Sequence, residues 1–250
     1  MKILGIDSSA RSASAAITDG EKVLGCFYTN TGLTHSQTLM PMIESLLKNA
    51  NVRLDDIDLI AVNKGPGSFT GIRIGVAAAK GMADVRKLPV YGASTLCSMA
   101  YNLIDSDCIA CCAMDARCGQ VYYALFDITD GKITRLTEDN ADSIENVEKK
   151  LKEYKKIKFI VGDGAEICYN NLKNIDDVRL ASQTHRFQSA IGVCFEAMNA
   201  PEDQYIESAM LVPEYLRLPQ AERELNKKLR KEKLEEIENS NKTIILYEAP

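Results

Sequence analysis

Asp7 and Asp115 are the side chains in this sequence best placed to do chemistry. Asp7 ends the apolar run Ile3-Leu4-Gly5-Ile6 and precedes Ser8-Ser9-Ala10. Asp115 ends Cys111-Cys112-Ala113-Met114 and precedes Ala116-Arg117-Cys118-Gly119. A carboxylate at the end of a buried strand can meet a metal–phosphate complex or position a water, and two of them facing one cleft suit a Mg–nucleotide. Either one can equally cap a turn through its side chain. Gly162-Asp163-Gly164, after the apolar run 158–161, would let a base or ribose approach the backbone at Gly162 and Gly164, although many strand–helix turns look the same.

The segment Asn63-Lys64-Gly65-Pro66-Gly67-Ser68-Phe69-Thr70-Gly71-Ile72-Arg73-Ile74-Gly75 joins an apolar β-branched run to a helix opening. That layout presents backbone N–H groups to an anion in many α/β proteins, but neither GxxxxGK[ST] nor GxGxxG is matched. Gly71, Gly75, Ala79 and Ala83 recur every fourth residue and line one helix face, where the lack of bulk permits close approach of another element. The segment therefore reads as a phosphate cradle, a helix-docking surface, or both. The two histidines, His35 and His185, form no metal site or catalytic triad by spacing, and His35 reads as capping or packing. Of the eight cysteines, Cys108, Cys111 and Cys112 lie in one strand-like run; with no second matching pair, they read as core rather than zinc ligands.

These residues need elements to hold them. Runs at 2–7, 15–17 and 23–27 read as three antiparallel strands with a turn at Asp19-Gly20. A helix over 36–49 follows, with Thr34 and Gln37 as a capping box and Pro41 either kinking it or marking a later start. Strand 59–62, helix 68–84, strand 89–92 and a helix opened by Ser94 complete the first half. The second half repeats the order: strands at 108–114, 120–126 and 132–134, helix 144–154, strand 158–161, helix 165–172 and helix 188–198. Architecture is thus duplicated without obvious sequence identity. The boundaries expected are 1–105, 106–218, and a charged tail 219–250. Residues 222–242 read as a solvated helix laced with ion pairs or as a partner-binding coil. The run 243–247 is β-like.

The motifs together resemble the TsaB (YeaZ) family of the actin/hexokinase/Hsp70-like ATPase superfamily. The resemblance rests on Ile3-Leu4-Gly5-Ile6-Asp7-Ser8-Ser9, Thr34-His35-Ser36 with Leu39 and Pro41, the Gly65–Gly75 string, Met114-Asp115-Ala116-Arg117, Gly162-Asp163-Gly164-Ala165 and Pro213-Glu214-Tyr215-Leu216-Arg217. It implies two tandem actin-like (ribonuclease H-like) α/β subdomains, with mixed sheets flanked by helices. It also implies a non-catalytic partner of the TsaD transferase, needed for N6-threonylcarbamoyladenosine formation on tRNA. A TsaE-type ATPase would join the pair, tRNA would be met through the complex, and the chain alone would form a homodimer.

The resemblance implies a partner interface on the first two helices, here His35, Leu39, Met42, Phe69, Gly71, Ile72, Gly75 and Ala79. The stripe could instead face this chain's own sheet. The catalytic paralogue holds a metal through a His-x-x-x-His helix; the corresponding stretch here, Gly92-Ala93-Ser94-Thr95-Leu96-Cys97-Ser98, has no histidine. Ser8 and Ser9 replace the phosphate-cradling residues of the superfamily's Asp-x-Gly-Thr loop. A vestigial nucleotide cleft at Asp7, Ser8, Asp115, Gly162 and Gly164 is then expected, with no catalytic residue, no metal, and at most weak ATP or ADP with Mg. The reading from another class is an active Mg-ATP phosphotransferase or ATPase using Asp7 and Asp115; peptidase activity lacks a metal pair or triad.

Composition agrees with such a protein. The 250 residues are 46% hydrophobic and 26% charged, ordinary for a globular chain. A net charge of −5 argues against autonomous nucleic-acid binding. No apolar run reaches the ~18–20 residues of a membrane span, and the N-terminus does not read as a signal peptide, so a cytoplasmic address is expected.

Overall fold

Strand β1 (Lys2–Asp7) is the centre from which the first sheet grows. In the computed structural model, which describes residues 1–172, 175–217, 228, 229 and 232, β1 pairs antiparallel with β2 (Ala13–Asp19) and parallel with β4 (Leu59–Gly65). Strands β3 (Lys22–Thr29) and β5 (Val90–Ser94) complete the order β3-β2-β1-β4-β5. Lys2 lies opposite Asp19 and Asp7 opposite Ser14, while Ile3 pairs with Leu59 and Ile6 with Val62. This register brings the ends of β1 and β4, and so Asp7 and Asn63, side by side.

The second sheet repeats the pattern. Strands β6 (Cys108–Arg117), β7 (Gln120–Thr129) and β8 (Lys132–Arg135) form a meander, and β9 (Asn140–Ser143) also pairs with β7. Parallel strands β10 (Lys158–Val161) and β11 (Val178–Leu180) extend the other side, giving β11-β10-β6-β7-β8. Both sheets are mixed, with a central first strand, a meander to one side and parallel strands to the other. This is the actin-like α/β arrangement expected from the resemblance.

Helices cover both faces of each sheet, and strand alternation assigns them. Leu4 and Ile6 of β1 pack with α1 (His35–Ala50) and α2 (Phe69–Arg86), whereas Ile3 faces α7 (Ala190–Asn199). On the second sheet, Cys108, Ala110 and Cys112 face α3 (Thr95–Ala100), while Ile109, Cys111 and Ala113 face α4 (Ile144–Leu151) and α5 (Ala165–Asn171). The cysteines of β6 are thus free core residues. Helices α3 and α7 meet each other: a Cβ on Gly192 would lie 2.1 Å from the Ser98 carbonyl. Helix α7 comes from the second half of the sequence and packs on the first sheet. Residues 1–216 form one compact unit, and a second begins at Arg217. The charged tail expected from 219, and the β-like run 243–247, lie outside the described residues except at Lys228, Leu229 and Glu232; Lys228 Nζ lies 3.8 Å from Glu232.

Local details differ from the sequence reading in four places. The Thr34–Gln37 capping box is absent: the Thr34 side chain makes no cap, its hydroxyl accepts from Ser36 Oγ, and the Gln37 N–H bonds the Thr34 carbonyl at 3.0 Å. Pro41 does not mark a later start, since α1 begins at His35 and contains it. Strands β9 and β11 and the short helix α6 (Gln183–Arg186), which carries His185, were not expected. Helix α4 ends at Leu151, three residues short of the expected end.

Candidate functional site

The first candidate is the floor of the cleft at the ends of β1, β6 and β10. Asp7 is fully buried. Its Oδ1 accepts from Ser9 Oγ at 2.6 Å, Asn63 Nδ2 at 2.8 Å and the Ser9 N–H at 3.2 Å. Asn63 in turn accepts from Ser98 Oγ at 3.1 Å, tying the acid to α3. Asp7 Oδ2 is buried and has no hydrogen-bond partner. Burial raises the Asp7 pKa, opposed by the Ser9 and Asn63 donors, and so favours the neutral acid. Ser8 faces away from the cleft and donates to the Gly71 carbonyl at 2.8 Å.

The opposite wall brings Asp115 and Asp163 toward the same place. Asp115 is exposed and accepts from the Arg117 N–H at 2.7 Å, capping its own turn. Asp163, between Gly162 and Gly164, is a further acid of this site that the strand-end pattern of Asp7 and Asp115 does not single out. Burial pushes its carboxyl up to about 6; Gln188 Nε2, donating at 3.1 Å, opposes the rise, and the charges of Asp115 and Asp7 add to it. Gln188 Oε1 is a second buried acceptor without a partner.

Gly162 and Gly164 do not open space for a ligand. A Cβ on Gly162 would lie 2.0 Å from the Ala113 carbonyl oxygen, and one on Gly164 would lie 2.6 Å from the Met114 carbonyl carbon. Their N–H groups donate to Arg186 O at 2.6 Å and Ala113 O at 3.1 Å. These glycines let the turn after β10 lie against the backbone of β6.

These residues fit a Mg–nucleotide only in part: Asp7 Oδ2 is a buried oxygen without a partner, whereas Oδ1 is held by three internal donors and burial favours the neutral acid, whose proton a metal-binding carboxylate must first give up. No group of three or more His, Cys, Asp or Glu placed to hold a metal occurs among the described residues. The Gly65-Pro66-Gly67 loop is no anion cradle either: the Ser68 N–H donates to Ser9 O at 2.6 Å, and Gly67 and Gly65 approach Ser9 O and Glu214 O too closely for any Cβ.

The second candidate is the pair α1 and α2. Four of the residues assigned to a partner on α2 face inward instead: Gly71, Ile72, Gly75 and Ala79 are buried, as is Leu39 of α1. The reason is close docking on β1 and β4. A Cβ on Gly71 would lie 2.1 Å from Ser8 O, and one on Gly75 would lie 2.4 Å from Ser8 Oγ. His35 is half-buried and bonds Ala10 O through Nε2 at 2.8 Å, a packing role; Met42 and Phe69 are half-buried at the rim.

The outward face of α2 is apolar too. Ala77, Gly81 and Val85 are exposed, Val85 at 75%, and Ile74, Ala78 and Met82 are half-buried beside them. A Cβ on Gly81 would meet nothing within 4 Å. Met40 and Pro41 of α1 are exposed as well. The sequence carries a signal for this face: Ile74, Ala77, Ala78, Gly81, Met82 and Val85 form a second apolar stripe beside the buried one, with Arg73, Lys80, Asp84 and Arg86 outside it.

A strap formed by residues 205–216 flanks the same helix. Lys80 Nζ donates to Ala209 O at 3.1 Å and Leu211 O at 2.9 Å, and the Glu214 N–H donates to Lys64 O at 2.7 Å. Arg73 donates through Nε to Tyr215 OH at 2.7 Å and lies 3.8 Å over the Phe69 ring, which sits 4.7 Å from the Tyr215 ring.

Comparison with known proteins bears on both candidates. Residues 25–239 match the family model described as TsaD, tRNA N6-adenosine threonylcarbamoyltransferase. Over 226 residues the chain is 30% identical to the tRNA threonylcarbamoyladenosine biosynthesis protein TsaB of Bacillus subtilis (strain 168), covering 89% of this chain and 96% of that one. Identity to the TsaB protein of Escherichia coli (strain K12) is 35% over 144 residues, 56% of this chain and 62% of the relative. Among solved structures, a Pseudomonas aeruginosa protein described as similar to peptidase YEAZ superposes with a TM-score of 0.75 at 26% identity, covering 86% of this chain and 99% of that one.

Proposed function

This chain belongs to the TsaB (YeaZ) family, and we propose that it acts as the non-catalytic partner of a TsaD-type transferase in threonylcarbamoyladenosine formation on tRNA. Its family places it in tRNA threonylcarbamoyladenosine biosynthesis. The observation that carries the finer reading is the outward face of α2: Ile74, Ala77, Ala78, Gly81, Met82 and Val85 leave apolar surface in water. A contiguous apolar face of this kind is characteristic of a docking surface. Ala77 and Gly81 carry little or no side chain, so a partner helix can lie close against the backbone there.

The cleft complements this reading. Its central acid is held by internal donors, and its glycines are filled by the chain's own backbone, so the cleft supports the fold rather than a reaction. The described residues supply no His-x-x-x-His pair on α3, where Ser94 and Ser98 bond Asp139 and Asn63 instead. A TsaE-type ATPase would join the heterodimer, tRNA would be contacted through the complex, and the same helix face would support a homodimer when the transferase is absent. Co-purification of the full chain with the TsaD-type protein of its own organism tests the proposal: a stable one-to-one complex supports it, and no complex at micromolar concentrations overturns it.

A second reading, a Mg-ATP-dependent phosphotransferase or ATPase, draws on one observation: Asp7 and Asp115 lie near enough to Asp163 to add to the burial that raises its pKa, and Asp7 Oδ2 among them has no partner. Turnover of Mg-ATP by the purified chain alone, lost in Asp7→Asn, would favour it. The geometry around Asp7 Oδ1 favours the partner reading.

A further inference from the structure

Neither the cleft nor the helix face uses the open edge of the first sheet. At the β5 side that sheet is covered: the Val90 N–H donates to Ile206 O and the Ile206 N–H to Val90 O, each at 2.9 Å. At the other side β3 is the last strand, and among the described residues it pairs with β2 alone. None of its eight residues is fully buried, and Val23 and Tyr28 are 39% and 47% exposed. Residues 23–29 include no charge and no proline. Charges and prolines are the usual protection of a sheet edge, and an edge without them offers its unpaired backbone groups to another strand. The bulge near Leu24 lies toward one end and leaves 25–29 in regular register with β2. Beside the edge, a groove of about 630 Å³ runs between β3 and α1, with Phe27, Thr38, Pro41, Met42 and Ser45 in its lining.

The two ends of this edge carry opposite charges. Glu21 is exposed in the turn before β3, and Arg11 is exposed at the far end; neither has an ion-pair partner among the described residues. Arg11 lies at that end because Ala13 pairs with Thr29 and the guanidinium reaches Gly32, where a Cβ would be 3.1 Å from Nη2. We propose that a second copy of this chain covers the edge: β3 pairs antiparallel with β3 of that copy about a two-fold axis at Cys26 and Phe27, joining two five-stranded sheets. A two-fold contact must be self-complementary, and this edge meets that condition. The uncharged stretch 23–29 lies against itself, each Phe27 borders the groove of the other copy, and Glu21 of each copy reaches the end at which the other carries Arg11. The contact uses none of the outward residues of α2 and does not depend on the transferase reading.

The test is sedimentation of the full-length protein at micromolar concentration and low ionic strength, with short bis-maleimide cross-linking in a Cys118→Ser background that silences the exposed thiol. A dimer is expected from both wild type and Gly81→Leu, together with a Cys26-to-Cys26 peptide, a link that only two copies can make. Glu21→Arg should raise the dimer dissociation constant at least about fivefold, because each two-fold dimer holds the pair twice and reversal turns both attractions into repulsions. Arg11→Glu should do the same, and the double variant should return to the wild-type value. A monomeric wild type, a dimer that Gly81→Leu abolishes, or a double variant no tighter than its single parents would overturn the edge pairing. Each of these outcomes leaves capture of the transferase to be judged by its own assay.

Discussion

Replacing Gly75 with alanine tests whether the small-residue stripe of α2 serves this chain's own packing. The added Cβ would lie 2.4 Å from Ser8 Oγ and 3.4 Å from Val62 Cγ2. Ser8 is fully buried, and its hydroxyl is held by the Gly71 carbonyl at 2.8 Å, so moving it aside breaks that bond. Overpacking costs about 1–3 kcal/mol, and stranding the hydroxyl costs roughly 1–3 kcal/mol. The gain in helix propensity offsets about 1 kcal/mol. The net expectation is a loss of about 1–5 kcal/mol, or roughly 2–20 °C in melting temperature for a unit of this size. Gly81→Ala, on the same helix and with nothing within 4 Å of the new methyl, carries only the propensity gain of about 1 kcal/mol. Urea and thermal unfolding of the two variants should therefore move in opposite directions. A Gly75→Ala protein as stable as wild type would refute the claim that the stripe is filled by β1 and β4.

Other outcomes follow from the same geometry. Gly81→Leu should leave the melting temperature within a few degrees of wild type yet prevent capture of the TsaD-type partner in a pull-down. Asp7→Asn should change stability by less than about 1 kcal/mol, because an amide oxygen can accept from Ser9 and Asn63 as Oδ1 does, and it should leave partner capture intact. The Asp163 carboxyl, pushed up to about 6 from the ordinary 3.8, binds its proton more tightly in the folded state. Its contribution to stability is therefore full below about pH 4 and is lost as pH rises through about 6, by up to ~3 kcal/mol. Asp163→Asn should flatten that slope in unfolding experiments run from pH 4 to pH 7.

How much of this could be read beforehand depends on what each element relies on. Strands β1, β4, β6 and β10 announce themselves because they are covered on both faces and so are largely apolar, and the Asp19-Gly20 and Asp130-Gly131 turns mark the β2–β3 and β7–β8 hairpins. Strand β9 is short and carries Asn140, Asp142 and Ser143; it exists because β7 offers it an edge, which no local pattern encodes. The stripe Gly71, Gly75, Ala79 was visible, but small residues serve a partner helix and the chain's own sheet equally. Only the distances to Ser8 separate the two. The docking face one-third of a turn away went unread because Ala77, Gly81 and Val85 were masked by that stronger stripe. Asp7 does end β1, whereas β6 continues past Asp115 to Arg117, and the holding of Asp7 Oδ1 by Ser9 and Asn63 depends on the β1–β4 register.

The account's central claim is that this chain works through a surface rather than through its cleft. Its most direct test is threonylcarbamoylation of tRNA by the TsaD-type transferase with its companion proteins, measured with wild-type chain, Asp7→Asn, Gly81→Leu, or no chain. Modification that requires the chain, survives Asp7→Asn and fails with Gly81→Leu is the predicted result. Modification that is lost in Asp7→Asn while Gly81→Leu remains active would contradict it.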